Sequence, residues 1–216
     1  MIHAYDQVYL DKARVVLGRM LDFAVYDLNY DITEFFNMFL DSGLAARFEK
    51  GDYAVIVGMS GVELAYQVLE LTTGNTQRIK PTYTVDRSEE YWAGWALAYY
   101  QWETALRFEE IIRHVPIAEI VKLYSPYHEM DIRQFCDKMD ERYRASKPET
   151  NLKTLRTKLG MSQRELAEAS GVPLRTIQQY EQRQKNINKA QGEYLIMLAQ
   201  ALCCEVPDLI EKTGRE

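Results

Sequence analysis

Apolar residues at Leu10, Ala13, Leu17, Met20, Leu21, Ala24 and Leu28 stand three and four apart, with Met20–Leu21 adjacent. That spacing lays one stripe along a helix of several turns. The opening of the chain is therefore a long first helix, whose stripe has to be buried against other elements. The pattern returns in 31–40, where Ile32, Phe35, Phe36 and Phe39 share a face, and 42–50 reads as a short third helix. The best strand candidate is YAVIV at 53–57. It is short, lies between Gly51 and Gly58 and has no partner strand, so it reads as a helical turn or an isolated extended segment. The expected class is all-α.

Helix starts are marked by their caps. Ser60 and Glu63 have the S-x-x-E spacing of a capping box, in which the serine oxygen and the glutamate each satisfy one free helix-start amide, and a helix over 61–71 follows. Ser88 opens another, with Glu89 and Glu90 suited to the positive end of the helix dipole. Its run YWAGWALAYYQW places Trp92, Trp95, Tyr99, Trp102 and Leu106 on one face. That face is expected to form the centre of a core. The alternative is an aromatic surface that docks a partner, carried by Tyr91, Trp92, Trp95 and Tyr100. After Pro116 two more helices are expected, over 117–123 and 128–144.

The octet GMSGVELA at 58–65 resembles GMSQRELA at 160–167. It is not an internal repeat, because the later copy runs into Gly171 and a second periodic segment, whereas the earlier one runs on through Leu69 into TTGNTQRIKPTYTV. The shared letters are one helix-start signal used twice.

With 216 residues the chain has room for two domains whose cores need neither metal nor disulfides. The three cysteines, Cys136, Cys203 and Cys204, show no CxxC spacing and read as reduced thiols. Periodicity stops at ASKPET, 145–150, where Pro148 interrupts any helix, so the expected boundary separates 1–146 from 147–216. Charge divides there too. The first part has 15 basic and 23 acidic residues, a net of −8, and the second has 11 and 9, a net of +2. Within 147–190 nine basic residues face four acidic ones. A polyanion is thus repelled by the first part and admitted by the second, despite the overall charge of −6.

No apolar run approaches the ~20 residues of a membrane span, and MIHAYDQVYLDK lacks the features of a signal peptide, so a cytoplasmic protein is expected. No phosphate-loop, dinucleotide, nucleophile-elbow or HExxH motif occurs, and His3, His114 and His128 are isolated. An enzyme is disfavoured, and no cofactor or metal is expected.

The most informative stretch is MSQRELAEASGVPLRTIQQYEQ, 161–182. Ser162 and Glu165 form a second capping box, Leu166 and Ala167 face inward, and Gly171 falls where the chain must turn through a left-handed conformation. Pro173 suits the first position of a second helix, on which Ile177 and Tyr180 continue the inner face. Two short helices joined by such a turn make a helix-turn-helix. Ser162, Gln163, Glu165, Leu166, Ala167, Gly171, Val172, Thr176, Ile177 and Glu181 resemble the Cro/repressor, or Xre, family pattern. The resemblance covers about 151–211. Leu152, Leu155 and Leu159 make a preceding helix, and Leu195, Leu198, Ala199 and Leu202 a following one. Val206, Leu209 and Ile210 make a last short helix, completing a five-helix module. The chain departs from the family in having Pro173 where a serine is common and the longer loop RQKNINKAQG after the second helix.

The resemblance implies that helix 173–182 enters the major groove of double-stranded DNA. Arg175, Gln178, Gln179 and Gln182 then share an outer ridge, where arginine bridges guanine O6 and N7 and glutamine bridges adenine N6 and N7, with Leu174 placed for a thymine methyl. Ser162, Gln163, Arg164, Thr176, Arg183, Lys185 and Lys189 are the expected phosphate contacts. The resemblance further implies a sequence-specific regulator, a repressor in the leading reading, that dimerises or senses a protein or small effector through its first part. The full length also resembles bacterial two-part regulators near small toxin-like genes, which makes an antitoxin the alternative.

Overall fold

The computed structural model describes residues 3–82, 86–146 and 148–211, and among them every regular element is a helix. The chain forms two compact units, 1–143 and 144–216. They part after Tyr143, where the sequence placed the boundary after Ser146. Of the expected linker, Lys147 lies outside the described residues.

The first unit contains α1 (Leu10–Tyr26), α2 (Ile32–Asp41), α3 (Leu44–Glu49), α4 (Tyr53–Ile56), α5 (Gly61–Thr73) and α6 (Glu89–Thr104). It continues with α7 (Phe108–His114), α8 (Ile117–Val121), the short turn α9 (Tyr124–Tyr127) and α10 (Ile132–Ser146), whose last residues belong to the second unit. The stripe on α1 is buried as its spacing predicts, with Ala13, Leu17, Met20, Leu21 and Ala24 all inaccessible. α1 packs most extensively on α6 and next on α5. Glycine permits this closeness: a Cβ on Gly94 of α6 would lie 2.8 Å from the Leu17 carbonyl oxygen, and one on Gly61 of α5 2.5 Å from that of Val16. Ser88 caps α6 by accepting from the Tyr91 amide and donates to Asp22 of α1 at 2.6 Å, joining the two helices where α6 starts. Phe36, Phe39, Phe48 and Phe108 fill one end of the core with edge-on and tilted ring contacts.

YAVIV takes the first of its two expected forms, a helical turn: Tyr53–Ile56 is the short helix α4, which Asp52 caps by accepting from the Ala54 amide at 3.0 Å. Other expectations change. α7 is a helix the periodicity did not announce; it has seven residues, too few for a stripe to stand out. α10 starts at Ile132 rather than at 128, after Asp131, whose carboxylate accepts from the Arg133 amide. The aromatic docking surface is corrected: Tyr91, Trp92 and Tyr100 are buried, and Tyr100 donates to Asp140 at 2.8 Å. They face the core because α6 is covered by α1 on one side and by α8 and α9 on another. Of the four residues named for that surface, only Trp95 is half-exposed.

The second unit contains α11 (Asn151–Lys158), α12 (Gln163–Ser170), α13 (Leu174–Glu181), α14 (Gly192–Ala201) and α15 (Val206–Leu209), with a 3-10 turn at Ile187–Lys189. Leu152, Leu166, Val172, Ile177, Tyr180, Ile187, Leu195, Leu198, Leu202 and Leu209 make its core. Leu159, expected in the stripe of the first of these helices, caps its end and is exposed.

Candidate nucleic-acid interface

The geometry of α12 and α13 follows from local chemistry. Ser162 accepts from the Glu165 amide at 3.2 Å and its own amide donates to the Glu165 carboxylate at 2.6 Å, which starts α12. The same hydrogen bond holds the Glu165 carboxyl below its usual pKa. α12 ends at Gly171 with φ +74°, left-handed backbone that a side chain would strain. Ser170 fixes the turn from within, donating to the Leu166 carbonyl at 2.6 Å and accepting from the Val172 amide at 3.2 Å. Pro173 stands just before α13 with an extended ψ of 132°, so the helix begins at Leu174 and not at the proline.

α13 turns Ile177 and Tyr180 into the core. Arg175 and Gln182 are exposed on its other side, and Leu174, Thr176, Gln178 and Gln179 are half-buried between these faces. Gln182 is the first residue past the helix end. Of the ridge named from the sequence, Arg175 and Gln182 are exposed and Gln178 and Gln179 half-buried, with Arg175 the single cation of the four.

A buried clamp ties the end of α13 to α11. Arg156 of α11 makes a two-pronged ion pair with Glu181 of α13, Nε to Oε1 at 2.7 Å and Nη2 to Oε2 at 2.9 Å, and its Nη1 donates to the Met161 carbonyl. The pairing raises the Arg156 pKa above its usual value. Gln163 of α12 donates to Glu181 Oε2 at 2.7 Å, so three helices meet at one carboxylate. Sequence reading placed Glu181 in the family pattern but did not find Arg156. Its signal was available: Arg156 stands four residues after Leu152, an inward position that an arginine occupies only with a buried acceptor.

The expected phosphate contacts divide into two groups. Arg164, Lys185 and Lys189 are exposed, as is Ser162 at the start of α12. Thr176 is half-buried within α13. The Gln163 amide is oriented by Glu181, as above. Arg183 is turned inward: with φ +55° it donates to the Pro148 carbonyl at 2.9 Å and to Glu211 at 3.1 Å. Glu211 also accepts from the Asn151 amide at 2.8 Å, and its backbone pairs with the side chain of Asn188. The long loop after α13 is thereby tied to the last described residue of the chain, leaving its two lysines outward.

Comparison with curated proteins and with solved structures gave no match. Residues 152–209 match the family model described as helix-turn-helix. The second unit is a helix-turn-helix domain of the Cro/C1 type, and it marks the chain that carries it as a DNA-binding transcription regulator.

Proposed function

We propose that the protein is a sequence-specific repressor that reads a palindromic operator, inserting α13 into the major groove and dimerising through residues 1–146. The observation that carries this reading is the outward ridge of Arg175, Gln178, Gln179 and Gln182 on a helix held from behind by Ile177, Tyr180 and the Arg156–Glu181 pair. Arginine and glutamine make two-pronged hydrogen bonds to guanine and adenine, and a helix fixed at its base presents them without further ordering. Exposed Arg164, Lys185 and Lys189 flank that ridge in sequence and supply phosphate contacts that set register. A dimer places two such ridges one helical turn of DNA apart, roughly 34 Å.

The test is binding of the full chain to its own upstream DNA, to single-base variants and to random duplex. Arg175→Ala loses about 1–3 kcal/mol on the preferred site and little on random duplex, so its specificity ratio falls. Lys185→Ala weakens every sequence alike and lowers the salt slope by about one. Uniform loss from Arg175→Ala together with altered base preference from Lys185→Ala overturns the docking of α13.

A further inference from the structure

The loop that follows α13 carries two exposed lysines, Lys185 and Lys189, and its only regular element is the 3-10 turn Ile187–Lys189. Cations on an untethered loop bind phosphate weakly, because ordering the loop offsets what the contact contributes. This loop is tethered. Ile187, between the two lysines, is buried in the core of the unit, and the Gln184 and Lys185 amides both donate to the Gln179 carbonyl. Its other anchors, Arg183 and Asn188, reach Glu211, 28 and 23 positions away.

Glu211 is engaged by side chain and backbone together. Its Oε2 accepts from Arg183 at 3.1 Å, and its Oε1 accepts from the amide of Asn151, the first residue of α11, at 2.8 Å. The Glu211 amide donates to Asn188 Oδ1 at 2.8 Å, and Asn188 Nδ2 donates back to the Glu211 carbonyl at 2.7 Å. Asn151 Nδ2 donates to the Ile210 carbonyl at 2.8 Å, and Arg183 to that of Pro148 at 2.9 Å. Pro148, Asn151, Ile210 and Glu211 all stand outside 152–209, the span that matches the helix-turn-helix family. The loop is thus closed by residues from beyond both ends of that span. On charge alone Glu211 opposes a polyanion, since it lowers the net +2 of residues 147–216. Its hydrogen bonds act in the other direction, by fixing the segment that bears the lysines.

We propose that Glu211 is a positioning residue for DNA binding, holding the 183–190 loop through Arg183 and Asn188 so that Lys185 and Lys189 meet the phosphate backbone already ordered. Arg183, expected from the sequence to touch phosphate, then serves as a support of the loop. This rests on the DNA-docking reading above and names what places its phosphate contacts.

Binding of the full chain to its upstream DNA and to random duplex, over a range of salt, tests it with Glu211→Ala, Glu211→Gln and Asn188→Ala. Charge alone predicts that both Glu211 variants bind every duplex more tightly than the wild type. The expected result has the opposite sign. Glu211→Ala weakens binding to both duplexes by about three- to tenfold, the cost of ordering a long side chain at the moment of binding. Glu211→Gln, which keeps one acceptor, falls between the wild type and alanine. Asn188→Ala changes no charge and weakens binding in the same way, so the test holds even where Glu211→Ala fails to fold. Lys185→Ala costs less in the Glu211→Ala background than in the wild type, a non-additivity that a loss of stability does not produce. Unchanged or tighter binding by Glu211→Ala and Asn188→Ala, or a Lys185→Ala loss equal in both backgrounds, overturns the positioning role while DNA docking stands. Wild-type binding that is indifferent to salt overturns both.

Discussion

The helices α5 and α12 begin with nearly the same letters and the same cap, yet they end in different surroundings. Ser60 and Glu63 exchange hydrogen bonds of 2.7 and 3.2 Å, and Ser162 and Glu165 exchange bonds of 2.6 and 3.2 Å. Both helices stop at a left-handed glycine, Gly74 at φ +71° and Gly171 at φ +74°. α5 runs for 13 residues with Gly61 pressed against the backbone of α1, whereas α12 runs for eight and presents Arg164 to solvent. The cap starts a helix; the neighbours decide whether that start becomes an interior or a surface.

The largest test of that difference acts behind α12. Glu181→Ala leaves the Arg156 charge buried without its partner, which costs about 3–5 kcal/mol. All three tryptophans, Trp92, Trp95 and Trp102, belong to the first unit. Urea unfolding followed by tryptophan fluorescence should therefore be unmoved while the circular dichroism of the second unit is lost early. A fluorescence transition shifted equally would mean that the clamp supports the whole chain.

Next in size is Gly61→Ala, in which the added Cβ meets backbone of α1 and the overpacking costs about 1–3 kcal/mol. Gly192 is also the first residue of its helix, α14, but a Cβ there meets nothing within 4 Å. Gly192→Ala is expected to stabilise by about 0.4–1 kcal/mol, through the unfolded chain. Thermal melts of the two variants should move in opposite directions, and a shared direction would break the contrast between covered and open helix starts.

Ser60→Ala and Ser162→Ala should each cost about 1 kcal/mol, since each removes one capping acceptor of the same geometry. Unequal losses in denaturant midpoints would show that tertiary contacts reach the caps themselves.

The smallest effect is that of pH. Hydrogen bonds from the Ser60 and Ser162 amides hold the Glu63 and Glu165 pKa values below the ordinary 4.5. Their contribution is fully present above that value and is lost as pH falls through the lowered folded-state pKa. Carboxyl titrations by NMR should show both groups shifted the same way. An unshifted Glu165 beside a shifted Glu63 would mean that only the covered helix keeps its cap closed.

How much of this was legible varies with how far apart the interacting groups lie in sequence. The caps at Ser60, Ser88 and Ser162, the turn at Gly171 and the inner face Ile177–Tyr180 involve residues a few positions apart, so spacing alone determined them. Helix class followed from the same local periodicity. The Arg156–Glu181 clamp joins residues 25 apart, and Arg183 reaches Pro148 and Glu211 across 35 and 28 positions. Those partners are chosen by where folded helices bring the side chains. The fate of the aromatic run was decided in the same way. Tyr91, Trp92 and Tyr100 are apolar enough for either a core or a surface, and only the packing of α1, α8 and α9 around α6 buried them. Sequence alone determined where helices start, stop and turn, because backbone hydrogen bonds are satisfied locally. Tertiary structure decided which charges are paired and which faces stay open, because burial is a property of all the elements around a residue at once.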